Sequence, residues 1–142
     1  MTNEPRLDEK DFKLISLLKR NARAPYSHLA RELGITESAV RKRIKKLVKL
    51  GVIKKFTIDY SLPGELGAII LVKTQSPTPV PEVSRSIASY PLVDKVVEVT
   101  GEYDIVAIAR ARDVKDINSL IDYIRGIPGV AATYTMIILR EY

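Results

Sequence analysis

The chain has no cysteine among its 142 residues and a single histidine, His28. Without a thiol there is no disulfide framework, thiolate nucleophile or thiolate metal ligand, and one imidazole completes neither a metal site nor a catalytic triad. No G-x-S-x-G elbow, Walker A loop or dinucleotide fingerprint occurs. Long apolar runs are missing too. The longest, near Ala68 to Val72, is far too short to span a bilayer, and the polar start Met1-Thr2-Asn3-Glu4-Pro5-Arg6 has no apolar core of a signal sequence. These absences argue against an enzyme, a metalloprotein and a membrane protein, and predict a cytoplasmic protein without a cofactor.

What the chain does have is positive charge, unevenly placed. Residues 1–58 carry fifteen Lys and Arg against six Asp and Glu, about +9, whereas residues 59–142 carry eight against eleven, about −3. A part that attracts polyanions therefore precedes one that does not, which predicts two domains with different tasks.

The charge peaks in Glu37-Ser38-Ala39-Val40-Arg41-Lys42-Arg43-Ile44-Lys45-Lys46-Leu47-Val48-Lys49. At helical spacing Val40, Ile44, Leu47 and Val48 share one face, while Ser38, Arg41, Lys42, Lys45 and Lys49 project from the opposite one. Pro25 to Leu33 reads as a short helix with Tyr26, Leu29, Ala30 and Leu33 on one side. Between the two stand Gly34, suited to the left-handed end of a helix, Ile35, and Thr36 as N-cap. Helix, three-residue turn and basic helix make a helix-turn-helix, whose second helix enters the major groove. Ser38, Arg41, Lys42 and Lys45 are then the candidates for base contact, and Lys46, Lys49, Lys54 and Lys55 those for phosphate.

An earlier helix, capped by Asp8 with Leu7 and Phe12 as a hydrophobic staple, is predicted to run to about Asn21 and to turn Phe12, Ile15 and Leu18 inward. Val52 to Ile58 alternates well enough for a strand, the wing of a winged helix-turn-helix. The breaker-rich Ser61-Leu62-Pro63-Gly64-Glu65-Leu66-Gly67 divides a DNA-binding domain, 1–60, from a second domain, 68–142, with 61–67 as linker. The second domain reads as a strand over 68–75, a helix opened by Pro81 with Val83, Ile87 and Tyr90 inward, and strands over 95–100 and 105–112 joined by the tight turn Gly101-Glu102-Tyr103-Asp104. A helix capped by Asp113 with Val114, Ile117, Ile121 and Ile124 inward, and a strand over 130–140, complete it. This βαββαβ order predicts an α+β, ferredoxin-like sandwich with both helices on one face of an antiparallel sheet. The other face, apolar and uncovered, predicts a homodimer.

Together Leu7-Asp8 with Asp11, Asn21-Ala22-Arg23, Leu29-Ala30, Arg43-Ile44 with Leu47, Gly51-Val52-Ile53 and Gly101-Glu102-Tyr103-Asp104 resemble the Lrp/AsnC, or feast/famine, transcription regulators over essentially the whole chain. Asn21 to Tyr26 and Phe56 to Tyr60 look most like the archaeal lysine-responsive regulators. The resemblance implies dimerisation through the second domain, higher assemblies such as an octamer, and an amino acid effector held where dimers meet by Gly101, Tyr103, Asp104, Asn118, Asp122, Thr133 and Thr135. Asp104 or Asp122 suits an ammonium, and Thr133 with Thr135 a carboxylate. Lysine leads as effector, with arginine, glutamine or none as alternatives, since Asn118 leaves Asp122 as the only carboxylate of that pair. An architectural, low-specificity DNA binder is the alternative function.

Overall fold

A computed structural model describes residues 6–142; the first five residues of the predicted 1–60 domain lie outside the described residues. The chain divides into two compact units, Met1–Tyr60 and Ser61–Tyr142.

The first unit holds α1 (Glu9–Arg20), α2 (Tyr26–Leu33) and α3 (Glu37–Lys49). A reciprocal capping box starts α1: Asp8 Oδ1 accepts from the Asp11 amide at 2.9 Å, and Asp11 Oδ2 from the Asp8 amide at 3.1 Å. Lys10 and Lys13 reach from α1 to the Leu33 and Glu32 carbonyls, at 3.0 and 2.7 Å, satisfying acceptors at the C-terminal end of α2. Gly34 follows at φ 64°, the left-handed conformation, and the Ile35 amide turns back to the Ala30 carbonyl. The Thr36 hydroxyl caps α3 through the Ala39 amide at 3.1 Å. Leu14, Leu29, Ala30, Leu33, Val40, Ile44 and Leu47 form the core.

The first unit departs from the sequence expectations at three places. Phe12 is 59% exposed and Leu14 is buried in its place. The inward stripe of α1 is Asp11, Leu14, Ile15 and Leu18, and one helical residue past Asp11 points about 100° away from it. Val48, at the margin of its stripe, is exposed. Residues 52–58 form no strand: the Val52 and Ile53 amides fold back onto the Leu47 carbonyl, at 2.9 and 3.1 Å, and residues 54–58 have no ladder partner among the described residues. Alternating side chains alone do not make a strand when the backbone lacks a neighbour to bond.

The second unit holds β1 (Leu66–Thr74), α4 (Val80–Ala88), β2 (Val93–Glu98), β3 (Ile105–Ala111), α5 (Val114–Arg125) and β4 (Val130–Ile137), in an antiparallel sheet of order β2-β3-β1-β4. Val83 and Ile87 of α4 and Leu120 and Ile124 of α5 pack on Ile70, Val72, Ile105, Ala107 and Ala109, so both helices cover one face. Val114 is exposed where an inward residue was expected, and Leu120 is buried instead. Tyr90 lies beyond the end of α4, half-buried and packed against Tyr123 with ring centroids 4.8 Å apart. β2 ends at Glu98, so residues 99–104 make a longer connection than a tight turn. It is closed by the Val99 amide on the Asp104 carbonyl at 2.9 Å.

Gly129 combines φ 95° with a site where an added Cβ would stand 2.4 Å from Thr78 Cβ. Gly129→Ala is therefore expected to cost this unit roughly 2–4 kcal/mol, from left-handed strain plus overpacking, read as a lower urea midpoint. An unchanged midpoint would show that the 75–78 loop gives way freely.

On the face away from the helices, the ladder lines up two apolar rows. Met136, Ile69 and Ile108 form one; Tyr134, Leu71, Val106 and Val97 form the other. Tyr134 is 55% and Met136 38% exposed.

Candidate functional site

Five of the eight predicted DNA-contact residues, Ser38, Arg41, Lys42, Lys45 and Lys49, form one exposed stripe along α3, opposite the buried Val40, Ile44 and Leu47. Lys54 and Lys55 follow α3 and are exposed. The remaining one, Lys46, is differently placed: its Nζ lies 2.7 Å from Asp11 Oδ2.

Asp11 is completely buried and binds two cations of α3. Besides Lys46 it takes Arg43 Nη1 at 2.9 Å, and the same Nη1 lies 2.7 and 2.8 Å from the two Asp8 oxygens. The two carboxylates that cap α1 thus also anchor α3, from residues 32 to 35 positions away. The Arg43 hydrogen bond, with the Asp11 amide, holds the Asp8 carboxyl at about 2. Burial pushes Asp11 up, but Lys46, the Asp8 amide and Arg43 outweigh it and leave it below the usual carboxylate value.

This cluster sets a pH dependence. A depressed folded-state pKa stabilises above the unfolded value, near 4, and that stabilisation fades as pH falls through about 2. Urea midpoints are expected to drop between pH 4 and pH 2, and to drop less steeply in Asp8→Asn. Parallel pH profiles for the two proteins would show that the Asp8 carboxylate contributes nothing to it.

Arg41 has another neighbour. Its Cζ stands 5.3 Å from the centroid of the Tyr26 ring, at the start of α2. Among the described residues the exposed α3 stripe thus has no acidic partner, while Arg43 and Lys46 on its flank are paired internally.

The seven predicted effector residues fall into two groups. Gly101, at φ 116°, Tyr103 and Asp104 lie on the β2–β3 connection. Asp104 Oδ2 accepts from the Thr74 amide at 2.8 Å and the Thr74 hydroxyl at 2.9 Å, which together hold its pKa below the ordinary value. Thr133 and Thr135 pair with Val72 and Ile70, and so lie half-buried on the helix side of the edge strand β4. Asn118 and Asp122 are exposed on α5 and share a helical stripe with Arg125, whose Nε donates to Thr133 Oγ1 at 3.2 Å. Thr74, on β1 between β3 and β4, stands between the groups, and no side-chain hydrogen bond joins any two of the seven.

Sequence reading missed Asp11 and Arg43 as a through-space pair, Tyr26 as a neighbour of Arg41, and Arg125. Only Arg125 leaves a trace in the sequence, at the i+7 position from Asn118. Among the described residues no cluster of His, Cys, Asp and Glu could hold a metal ion, and no helix is long and apolar enough to cross a membrane.

Comparison with known proteins covers both units. Residues 7–48 match the AsnC-type helix-turn-helix domain, and residues 67–142 the Lrp/AsnC ligand binding domain. The chain is 49% identical over 136 residues to the HTH-type transcriptional regulator LysM of Sulfurisphaera tokodaii, covering 96% of this chain and 97% of that one. It is 48% identical to LysM of Saccharolobus solfataricus over 96% of each chain. The crystal structure of PH0061 superposes with a TM-score of 0.86 at 31% identity, over 97% of this chain and 96% of that one.

Proposed function

Since the chain belongs to the Lrp/AsnC family of transcription regulators, not to a family of enzymes, we propose that it binds operator DNA as a homodimer and that an amino acid, lysine first, alters its assembly or its DNA affinity. The observation that carries the DNA-binding reading is the α3 stripe, whose polar heads have no acidic partner among the described residues while Arg43 and Lys46 do. Ser38, Arg41, Lys42 and Lys45 read base edges, arginine being suited to guanine O6 and N7. Lys49, Lys54 and Lys55 grip phosphate; Lys46 contributes less, because Asp11 already holds it.

Two copies joined through the open sheet face would present two α3 helices to half-sites about one helical turn apart. The 1–60 part is the reading domain and 68–142 the dimerising and effector domain, acting in the cytoplasm. Lys55→Ala is expected to weaken operator and random DNA alike and to lower the salt slope by about one phosphate contact. Gel shifts at several salt concentrations measure this; a loss confined to the operator would overturn the phosphate role.

For the effector, the exposed Asp122 carboxylate suits an ammonium, and Thr133 with the adjacent Arg125 suits a carboxylate. The name LysM of the relatives favours lysine. A ligand shifts assembly only through unequal affinity for two states, and a tenfold difference is about 1.4 kcal/mol. Light scattering and operator titrations with lysine, arginine and glutamine test this. Lysine is expected to change mass or affinity, with the response lost in Asp122→Asn. Unchanged mass and affinity at saturating lysine would remove it as effector.

A further inference from the structure

Tyr26 is half-buried, packs against the core of the first unit, and carries the Arg41 guanidinium at 5.3 Å from its ring centroid. A core-anchored ring is a fixed platform, since its own rotamer is set by packing. A cation over an aromatic face is held by the ring quadrupole, which consumes none of the guanidinium's N–H donors. Arg43, two residues on, shows the contrast: its Nη1 is spent on Asp8 and Asp11. Among the described residues no carboxylate pairs with Arg41. Arg41 is thus restrained while its whole donor fork stays available, which lowers the ordering cost of a bidentate contact.

We propose that Tyr26 is a positioning residue for base recognition: its ring holds the Arg41 guanidinium ready for the two acceptors of a guanine, so Tyr26 sets sequence preference without touching a base itself. This rests on the groove assignment of α3 given above. It differs from a structural role in that it acts on one base position rather than on all DNA. It differs from a phosphate contact in that the ring, and not the hydroxyl, does the work.

The test uses the full chain, its selected operator, single-base variants of that operator and a random duplex, all at one salt concentration, with salt slopes measured in parallel. Tyr26→Leu is expected to lower guanine preference about two- to fivefold at the position affected by Arg41→Ala, with random-DNA affinity and salt slope unchanged. Tyr26→Phe and Tyr26→Trp, which keep a platform, are expected to retain the preference; even if the leucine variant does not fold, loss of guanine preference in Tyr26→Phe would overturn the proposal. In an Arg41→Ala background Tyr26→Leu should add nothing. Full guanine preference in Tyr26→Leu would overturn the proposal. So would Tyr26→Phe losing affinity for every sequence with a smaller salt slope, since that marks a hydroxyl on phosphate. If Arg41→Ala itself leaves guanine preference intact, the groove assignment fails, and the platform with it.

Discussion

A Tyr134→Asp, Met136→Asp double variant is expected to run as a monomer and to bind operator at least about a hundredfold more weakly, because a dimer makes the second half-site contact intramolecular. The substitutions fall in the two rows of the open face, beside Leu71 and Ile69. Both side chains are exposed in the single chain, so its own core, on the opposite face, is untouched. Two such faces meeting would bury apolar rows that otherwise meet water, and the carboxylates introduced into that contact would be desolvated without partners. Light scattering and circular dichroism separate dissociation from unfolding. A variant that stays dimeric with native helix content would place the interface elsewhere.

The second large effect is expected at Arg41. Arg41→Ala should cost about 1–3 kcal/mol at one base position in each half-site, on the order of tenfold to a hundredfold in discrimination, while random-DNA binding changes little. A bidentate guanidinium–guanine contact carries sequence information that a phosphate contact does not, so the loss must depend on the base. Arg43 is the control. Its guanidinium bridges Asp8 and Asp11 and faces α1, so Arg43→Ala is expected to lower stability rather than to change the base preference. Competition binding with single-base operator variants tests both. Equal loss on operator and random DNA for Arg41→Ala would make it a phosphate contact.

Much of this architecture is legible in local sequence. Gly34 and Thr36 mark the turn because a left-handed end and an N-cap are local requirements, and the α3 stripe follows from spacing alone. The βαββαβ order is legible for the same reason. Phe12 and Val114 read as inward because each is large and apolar, yet what burial selects is the stripe set by Asp11 with Leu14, and by Ile117 with Leu120 and Ile124. Residues 52–58 alternate like a strand, but pairing is a property of a neighbour, which spacing does not reveal. The site follows the same division. Ser38, Arg41, Lys42, Lys45 and Lys49 share a face by periodicity, whereas the Asp11 cluster, the Tyr26–Arg41 stack and the Arg125–Thr133 contact join residues that only the fold brings together.

Sequence reading by α3 is tested most directly by selection of bound sequences from a random duplex pool by the full chain, with and without lysine. An enriched palindromic site with a guanine in each half is expected, the halves centred about one helical turn apart, with enrichment that shifts when lysine is added. A pool that stays random while the protein binds it tightly would contradict sequence reading by α3 and leave a low-specificity DNA-coating protein instead.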